Sequence, residues 1–387
     1  MKIGTVTEIK DNTETRVGLT PQSVKELTAM GHEILVQRGA GTRSQISDEE
    51  YRQAGAEMVD NASEVWERVD LMVKVKEPQK KEFQYLREGL TLFTYLHLAN
   101  PNNKELTIAA IESKGTFIAY ETIALENGTT PLLAPMSEVA GQRIIDIASS
   151  FLASPQGLAN KMINRIKDMA GKVLIIGGGV VGRSSAYCSL GRGADVVILE
   201  LREEQRKQLE QELQPLADVF GADLRVLKST KEVLAQEIQN ADMIIGSIYI
   251  KGARADKLIN IEMLDIMKEG AVIGDVAVDQ GGICEFSKVT SIKEPSIIVR
   301  GPQTGKKIIY LGIPNIPATV GATATRVLNN ATREYIKKYA EGGIRAVLAD
   351  SAFQQGINVA KGYITLEPVA KEHNLEDKFK EAKKVFG

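Results

Sequence analysis

Arg16, Lys76, His97 and Asp279 stand at the ends of apolar stretches that read as strands. Arg16 lies in the loop after MKIGTVTEI, Lys76 closes DLMVKVK, and His97 closes TLFTYLH. Asp279 follows AVIGDVAV, just ahead of Gly281 and Gly282. Ligands of an open parallel sheet sit beyond the carboxyl ends of its strands, so these positions meet a ligand if the strands are parallel. Arginine and lysine hold carboxylates, arginine in bidentate fashion. Histidine is the natural acid–base group near neutral pH. Two cations, a histidine and a carboxylate beside a nicotinamide cofactor would suit hydride transfer to or from a small carboxylate substrate. Each residue also has a plainer reading. Arg16 can be a solvated loop residue, and Asp279 can cap a turn ahead of the glycines. Lys76 shares a strand face with Lys74, so either can be a surface charge. His97 can be a hydrogen-bonded core group. The other two histidines, His32 at a turn after a helix-stop glycine and His373 in the charged C-terminal segment, invite no catalytic role.

The cofactor reading rests on GGGVVG, residues 177–182, which fits G-x-G-x-x-G through Gly177, Gly179 and Gly182. The motif follows the apolar strand KVLII, opens a helix, and precedes Glu200 at the end of the strand VVILE by the spacing a dinucleotide site requires. Gly177 permits the tight turn, Gly179 lets backbone N–H groups approach a pyrophosphate at the helix N-terminus, and Gly182 lets helix and strand pack closely. Glu200 would hydrogen-bond the ribose hydroxyls and repel a 2′-phosphate, favouring NAD over NADP. Arg202 nearby works the other way.

The elements that must position these residues alternate. Strands and helices follow one another through the first 125 residues, as expected of a mostly parallel, doubly wound sheet. TPQSVKELTAMG reads as a helix with Thr20 as N-cap, Pro21 at the first position and Gly31 as its stop. Residues 136–172 read as helical for most of their length and carry the chain into a second domain. That domain opens with KVLIIGGGVVGRSSAYCSLGRGADVVILE. After about residue 305, IIYLGIPNIP is extended and proline-broken, GATATRVLNNATREYIKKYAEGG is a long amphipathic helix, and shorter charged helices close the chain. The expected architecture is α/β: two doubly wound, Rossmann-like parallel-sheet domains with an active-site cleft between them. Residues 1–138 with 306–387 form the substrate domain, and 139–305 the NAD-binding domain.

The 387 residues carry a net charge of −2 with acidic and basic residues interleaved, which speaks against a nucleic-acid surface or a polybasic membrane anchor. The N-terminus is a strand pattern and not a signal peptide, and no apolar run approaches a membrane span. Cys188 and Cys284 lie far apart, as free thiols of a cytoplasmic protein would. No Cys/His cluster suggests a metal.

At the level of whole motifs the chain resembles the alanine dehydrogenase / nicotinamide nucleotide transhydrogenase alpha-subunit family, the dehydrogenase branch most closely. The resemblance runs through ETRVGLTP (14–21), VKVKEP (73–78), LFTYLHLA (92–99), AYETI (119–123), LLAPMSEVAG (132–141), GGGVVG (177–182) and DVAVDQGG (275–282). It implies that Arg16 and Lys76 bind the substrate carboxylate, that His97 and Asp279 are the acid–base pair, and that Ser137 and Glu200 contact NAD. It also implies reversible oxidative deamination of L-alanine to pyruvate and ammonia, and a homo-hexamer. Three segments depart from the family pattern. Residues 154–169 replace a glycine-rich stretch with a helix-like one. IYLGIPNIPATVGATAT (309–325) keeps Asn315, counted with the cofactor-binding set, but has Ile316 for the usual methionine. GSIYIKGARAD carries Tyr249 and Lys251 where smaller or apolar residues are usual. These departures leave open the same chemistry on another amino acid or a secondary amine, or a soluble NAD(H)-binding transhydrogenase-like subunit.

Overall fold

Short β-branched runs separated by amphipathic stretches fold here as strand–helix repeats. The protein, described by a computed structural model over residues 1–10, 13–248 and 257–387, divides into two units. One comprises Met1–Met136 with Ala318–Gly387, the other Ser137–Pro317. Tyr249 and Lys251 lie outside the described residues. The chain first lays down β1 (Lys2–Thr5), β2 (Glu33–Gln37), β3 (Glu57–Val59), β4 (Leu71–Val73), β5 (Thr91–Thr94) and β6 (Thr116–Ala119). The second unit contributes β7 (Lys172–Ile176), β8 (Asp195–Glu200), β9 (Leu224–Lys228), β10 (Met243–Gly246), β11 (Val272–Asp275), β12 (Ile297–Arg300) and β13 (Lys307–Leu311). The chain then returns to add β14 (Ile357–Ala360) and β15 (Tyr363–Ile364) to the first sheet.

The first sheet runs β15-β14-β6-β5-β4-β1-β2-β3 and the second β12-β13-β11-β10-β7-β8-β9. Stripped of their edge additions, both have the doubly wound order in which the first strand pairs the second on one side and the fourth on the other. Their pairs are parallel except at the edges, where β14 runs antiparallel to β6 and β15, and β12 to β13. Such strands are covered on both faces and are apolar throughout, and β4, β5, β10 and β11 are buried at every position. Trp66, Leu92, Leu96, Phe117 and Val359 share one core in the first unit. In the second, Ile175 and Ile245 belong to one cluster, Ile176 and Ile244 to another.

Local signals set the element ends. The helix Pro21–Ala29 starts at Thr20, whose side chain accepts from Ser23 N at 3.4 Å, and Gly31 follows at φ 85°. The long helix Gly321–Ala349 loses helical dihedrals at Gly343, where the expected helix ends, and then resumes. Two expectations are corrected. The helix entering the second unit covers only Ala134–Leu152, and residues 153–171 form turns. Pro155 lacks the N–H that continuing the helix needs, and a Cβ on Gly157 would stand 2.0 Å from Phe151 O, so the chain doubles back against the helix end. The return to the first unit comes at Ala318 and not at 306, because KIIYL pairs with β11 as β13.

Candidate active site

The doubly wound order makes a crevice at each switch point, beyond the strand carboxyl ends. In the first sheet the switch lies between β1 and β4, and Arg16 and Lys76 lie in the chain just after those strands. Lys74 and Lys76, two residues apart, have opposite fates. The Lys74 side chain is 0% exposed and sits 3.0 Å from both Glu8 and Glu82. Burial opposes its charge, but the two carboxylates outweigh it and push its pKa above the ordinary lysine value. Lys74 is therefore a structural ion pair, not a surface charge. Lys76 is half-buried, with no hydrogen-bond or ion-pair partner among the described residues. Burial, together with the charges of Arg16 and Lys10, pushes its ammonium below the usual lysine range. Arg16 is buried, and its Nε and Nη2 each lie 2.7 Å from a Glu14 oxygen, with Nη1 3.2 Å from Met136 Sδ. It is not a solvated loop residue. Two cations held this way, Arg16 tied to Glu14 and Lys76 with no ion pair among the described residues, could together hold a small anion.

His97 follows β5 with its side chain 39% exposed, too open for a core group. Its backbone is left-handed, φ 48°, a conformation that L residues adopt rarely. The turn is held by side chains. Glu121 accepts from His97 N at 2.6 Å and from Leu96 N at 3.3 Å, and its Oε1 lies 3.9 Å from His97 Nδ1. Asn103 donates to His97 O at 3.0 Å and Leu96 O at 3.3 Å. The imidazole is parallel to the Tyr95 ring, 5.8 Å between centroids. Burial raises the neighbouring Glu77 carboxyl, but Lys10, Lys76 and His97 outweigh it and hold it low. Lys76 and His97 therefore share one electrostatic neighbourhood.

In the second unit GGGVVG joins β7 to the helix Val180–Leu190. Gly177 has φ 105°, and a Cβ on Gly182 would stand 1.9 Å from Gly177 O. A Cβ on Gly179 meets nothing within 4 Å, so the loop is open at the residue that precedes the helix. Glu200 accepts from Gly178 N at 3.0 Å and Arg202 N at 2.9 Å, and the Arg202 side chain turns to it at 3.3 Å. An open glycine loop at a helix N-terminus with a carboxylate after the second strand fits a dinucleotide. Ser137 lies one turn before Gly141 on the helix Ala134–Leu152, and a Cβ on Gly141 would stand 2.3 Å from Val181 O, so the two helices pack in contact. Asn315 is half-buried and left-handed, φ 54°.

Asp279 is exposed on the turn Val278–Gln280, followed by left-handed Gly281 and Gly282 (φ 95° and 74°). Lys257 Nζ donates to Gly281 O, and to Gly282 O at 3.0 Å. Asp275, fully buried at the end of β11, accepts from Ile283 N at 3.1 Å, Ser287 Oγ at 2.8 Å and Tyr310 OH at 2.9 Å. Burial pushes its carboxyl up, against those bonds. Sequence reasoning missed Glu14, Glu121 and Asp275, although all three lie inside or beside the motifs that drew attention to their neighbours.

Two doubly wound units, one with two strand-end cations and a half-exposed histidine, the other with a glycine loop that fits a dinucleotide, define the class: a dinucleotide-dependent oxidoreductase. Residues 4–140 match the family model "Alanine dehydrogenase/PNT, N-terminal domain" and 145–367 match "Alanine dehydrogenase/PNT, C-terminal domain". The chain belongs to this alanine dehydrogenase/PNT family. It is 40% identical over 381 residues to "Alanine dehydrogenase 2" of Staphylococcus aureus, covering 98% of both chains. A solved structure entitled "L-alanine dehydrogenase" is 37% identical with a TM-score of 0.89, covering 97% of this chain and 99% of that one. A transhydrogenase from Sinorhizobium meliloti, 21% identical with a TM-score of 0.78 over 94% of this chain and all of its own, shares the fold. Among the described residues no helix is long and apolar enough to cross a membrane.

Proposed function

We propose that this protein is an NAD-dependent L-alanine dehydrogenase. The reaction is L-alanine, NAD+ and water to pyruvate, ammonium, NADH and a proton, and its reverse. The observation that carries the reading is Lys76, an ammonium with no ion pair among the described residues, in the charge field of Arg16 and acting on the same Glu77 carboxyl as the half-exposed His97. The 40% identity to an alanine dehydrogenase supports the substrate.

The substrate carboxylate binds the Lys76 ammonium, with the Arg16 charge behind it. Gly177, Gly179 and Gly182 hold the pyrophosphate, with Ser137 and Asn315 as further cofactor contacts. Glu200 takes the ribose hydroxyls and selects NAD over NADP, and Arg202 is drawn to it. A nicotinamide bound there would supply the hydride acceptor for the substrate Cα, or the donor in the reverse direction. Loss of that hydride and an amine proton leaves an imine, and water adds to give a carbinolamine. His97 takes the hydroxyl proton as the C–N bond of the N-protonated carbinolamine breaks, so the nitrogen leaves as ammonia. Asp279 orients or deprotonates the amine.

L-Alanine with NAD should generate NADH, and NADP should serve poorly. A panel of other amino acids and secondary amines run alongside fixes the substrate. No turnover with any of them, nor with pyruvate, ammonia and NADH, overturns the reading. His97→Ala should abolish turnover while NADH still binds. The family resemblance also supports a cytoplasmic homo-hexamer, which light scattering tests.

A further inference from the structure

His373 lies on the helix Glu367–His373 near the end of the chain, where the sequence suggested no role for it. It is 2% exposed, and its Nε2 stands 2.6 Å from Leu98 O, 275 residues away in the chain. A carbonyl only accepts, so Nε2 carries the proton and donates. Leu98 is the residue after His97. With Glu121 on the N–H groups of Leu96 and His97, and Asn103 on their carbonyls, His373 completes a set of side chains that hold the turn from both sides. A left-handed non-glycine residue persists only where its surroundings over-determine it. His97 is such a residue.

We propose that His373 is a positioning residue for His97. It fixes the carbonyl that follows the left-handed residue and so keeps the imidazole where it exchanges protons with substrate. This rests on the reading of His97 as the acid–base group. Without the donor, Leu98 O is buried and unpaired, and the turn relaxes toward an ordinary backbone that re-aims the ring. The carboxylate site belongs to Arg16 and Lys76, and the nucleotide loop to the second unit, so neither depends on this bond.

The test uses His373→Gln, His373→Asn and His373→Leu in the full-length protein. Glutamine's amide nitrogen reaches as far as the imidazole Nε2 and asparagine's does not. Expected is a kcat about tenfold lower for the asparagine and leucine variants, with the pyruvate KM and NADH affinity changed less than about twofold, and recovery of most of the kcat by glutamine. Should the leucine variant not fold, the glutamine–asparagine pair decides. A kcat for His373→Asn equal to the parent's overturns the proposal. So does a fall in kcat, pyruvate affinity and NADH affinity together that glutamine does not recover. His97→Ala separates the two readings. If it retains turnover, the acid–base assignment fails. If it is inactive while His373→Asn is normal, only the positioning role fails.

Discussion

The turns that carry His97 and Asp279 are both tight, and they place their backbone strain differently. At His97, the proposed acid–base residue, the backbone is itself left-handed, and side chains from other segments hold it. At Asp279 the left-handed positions fall to Gly281 and Gly282, which adopt them at no steric cost. Lys257 and Asp275 then tie down the glycine segment and not Asp279. Loosening the first turn therefore moves the His97 side chain itself. Loosening the second costs stability first and reaches Asp279 only through the glycines.

The contrast can be broken most forcefully at Asp275. Asp275→Ala strips the acceptor from Ile283 N, Ser287 Oγ and Tyr310 OH. At about 1 kcal/mol per bond, the expected loss in denaturant or thermal unfolding is about 3 kcal/mol, with a smaller fall in kcat than His373→Asn shows. An unchanged unfolding midpoint would show that the second turn needs no such support. Gly282→Ala should cost about 2 kcal/mol, since its Cβ would stand 2.3 Å from Ser287 Oγ and 2.4 Å from Asp275 Oδ2. Tolerance of alanine there would mean that the glycines do not carry the strain.

The pH dependence sharpens the comparison on the side of charge. The Lys76 ammonium makes no ion pair among the described residues, and Arg16 and Lys10 oppose its charge, whereas Glu200 in the second unit is hydrogen-bonded by backbone N–H groups. A bound carboxylate favours the protonated lysine. Affinity is therefore full below the pKa of the empty site and lost as pH rises through it. Because that pKa is lowered, the pyruvate KM should begin to climb below the ordinary lysine value of about 10.4, about tenfold per pH unit beyond the pKa. Lys76→Met should raise KM at neutral pH and flatten the profile; a climb that persists in this variant assigns the titration elsewhere. The smallest effect concerns backbone strain alone. His97→Gly should unfold later than His97→Ala by about 1 kcal/mol, both being inactive. Equal stability would place no strain on His97.

Much of this was legible in the sequence because it is local. Thr20, Pro21 and Gly31 frame a helix within one short stretch, and GGGVVG with Glu200 is a single strand–turn–helix–strand unit. The polar residues at strand ends were legible because parallel topology turns chain position into spatial position. What escaped depends on pairing at a distance. Lys74 read as a possible surface charge until Glu8 and Glu82 closed over it. The strands β14 and β15 are too short, four and two residues, to show a period before β6 pairs with the first. His373 looked like one more charge in a charged tail, because its partner is a carbonyl, which leaves no mark on residue type.

The insertion of one unit within the other sets an order of assembly on the ribosome. Ser137–Pro317 is continuous, so the nucleotide-binding unit has all its strands once that stretch has emerged. The unit that carries His97 begins first and finishes last, since β14, β15 and the helix of His373 come from residues beyond 350. A nascent chain halted before them would hold every strand of the second unit and a His97 turn still without the His373 hydrogen bond to Leu98 O. Competence to bind the dinucleotide should thus precede competence to turn it over during synthesis of a single molecule.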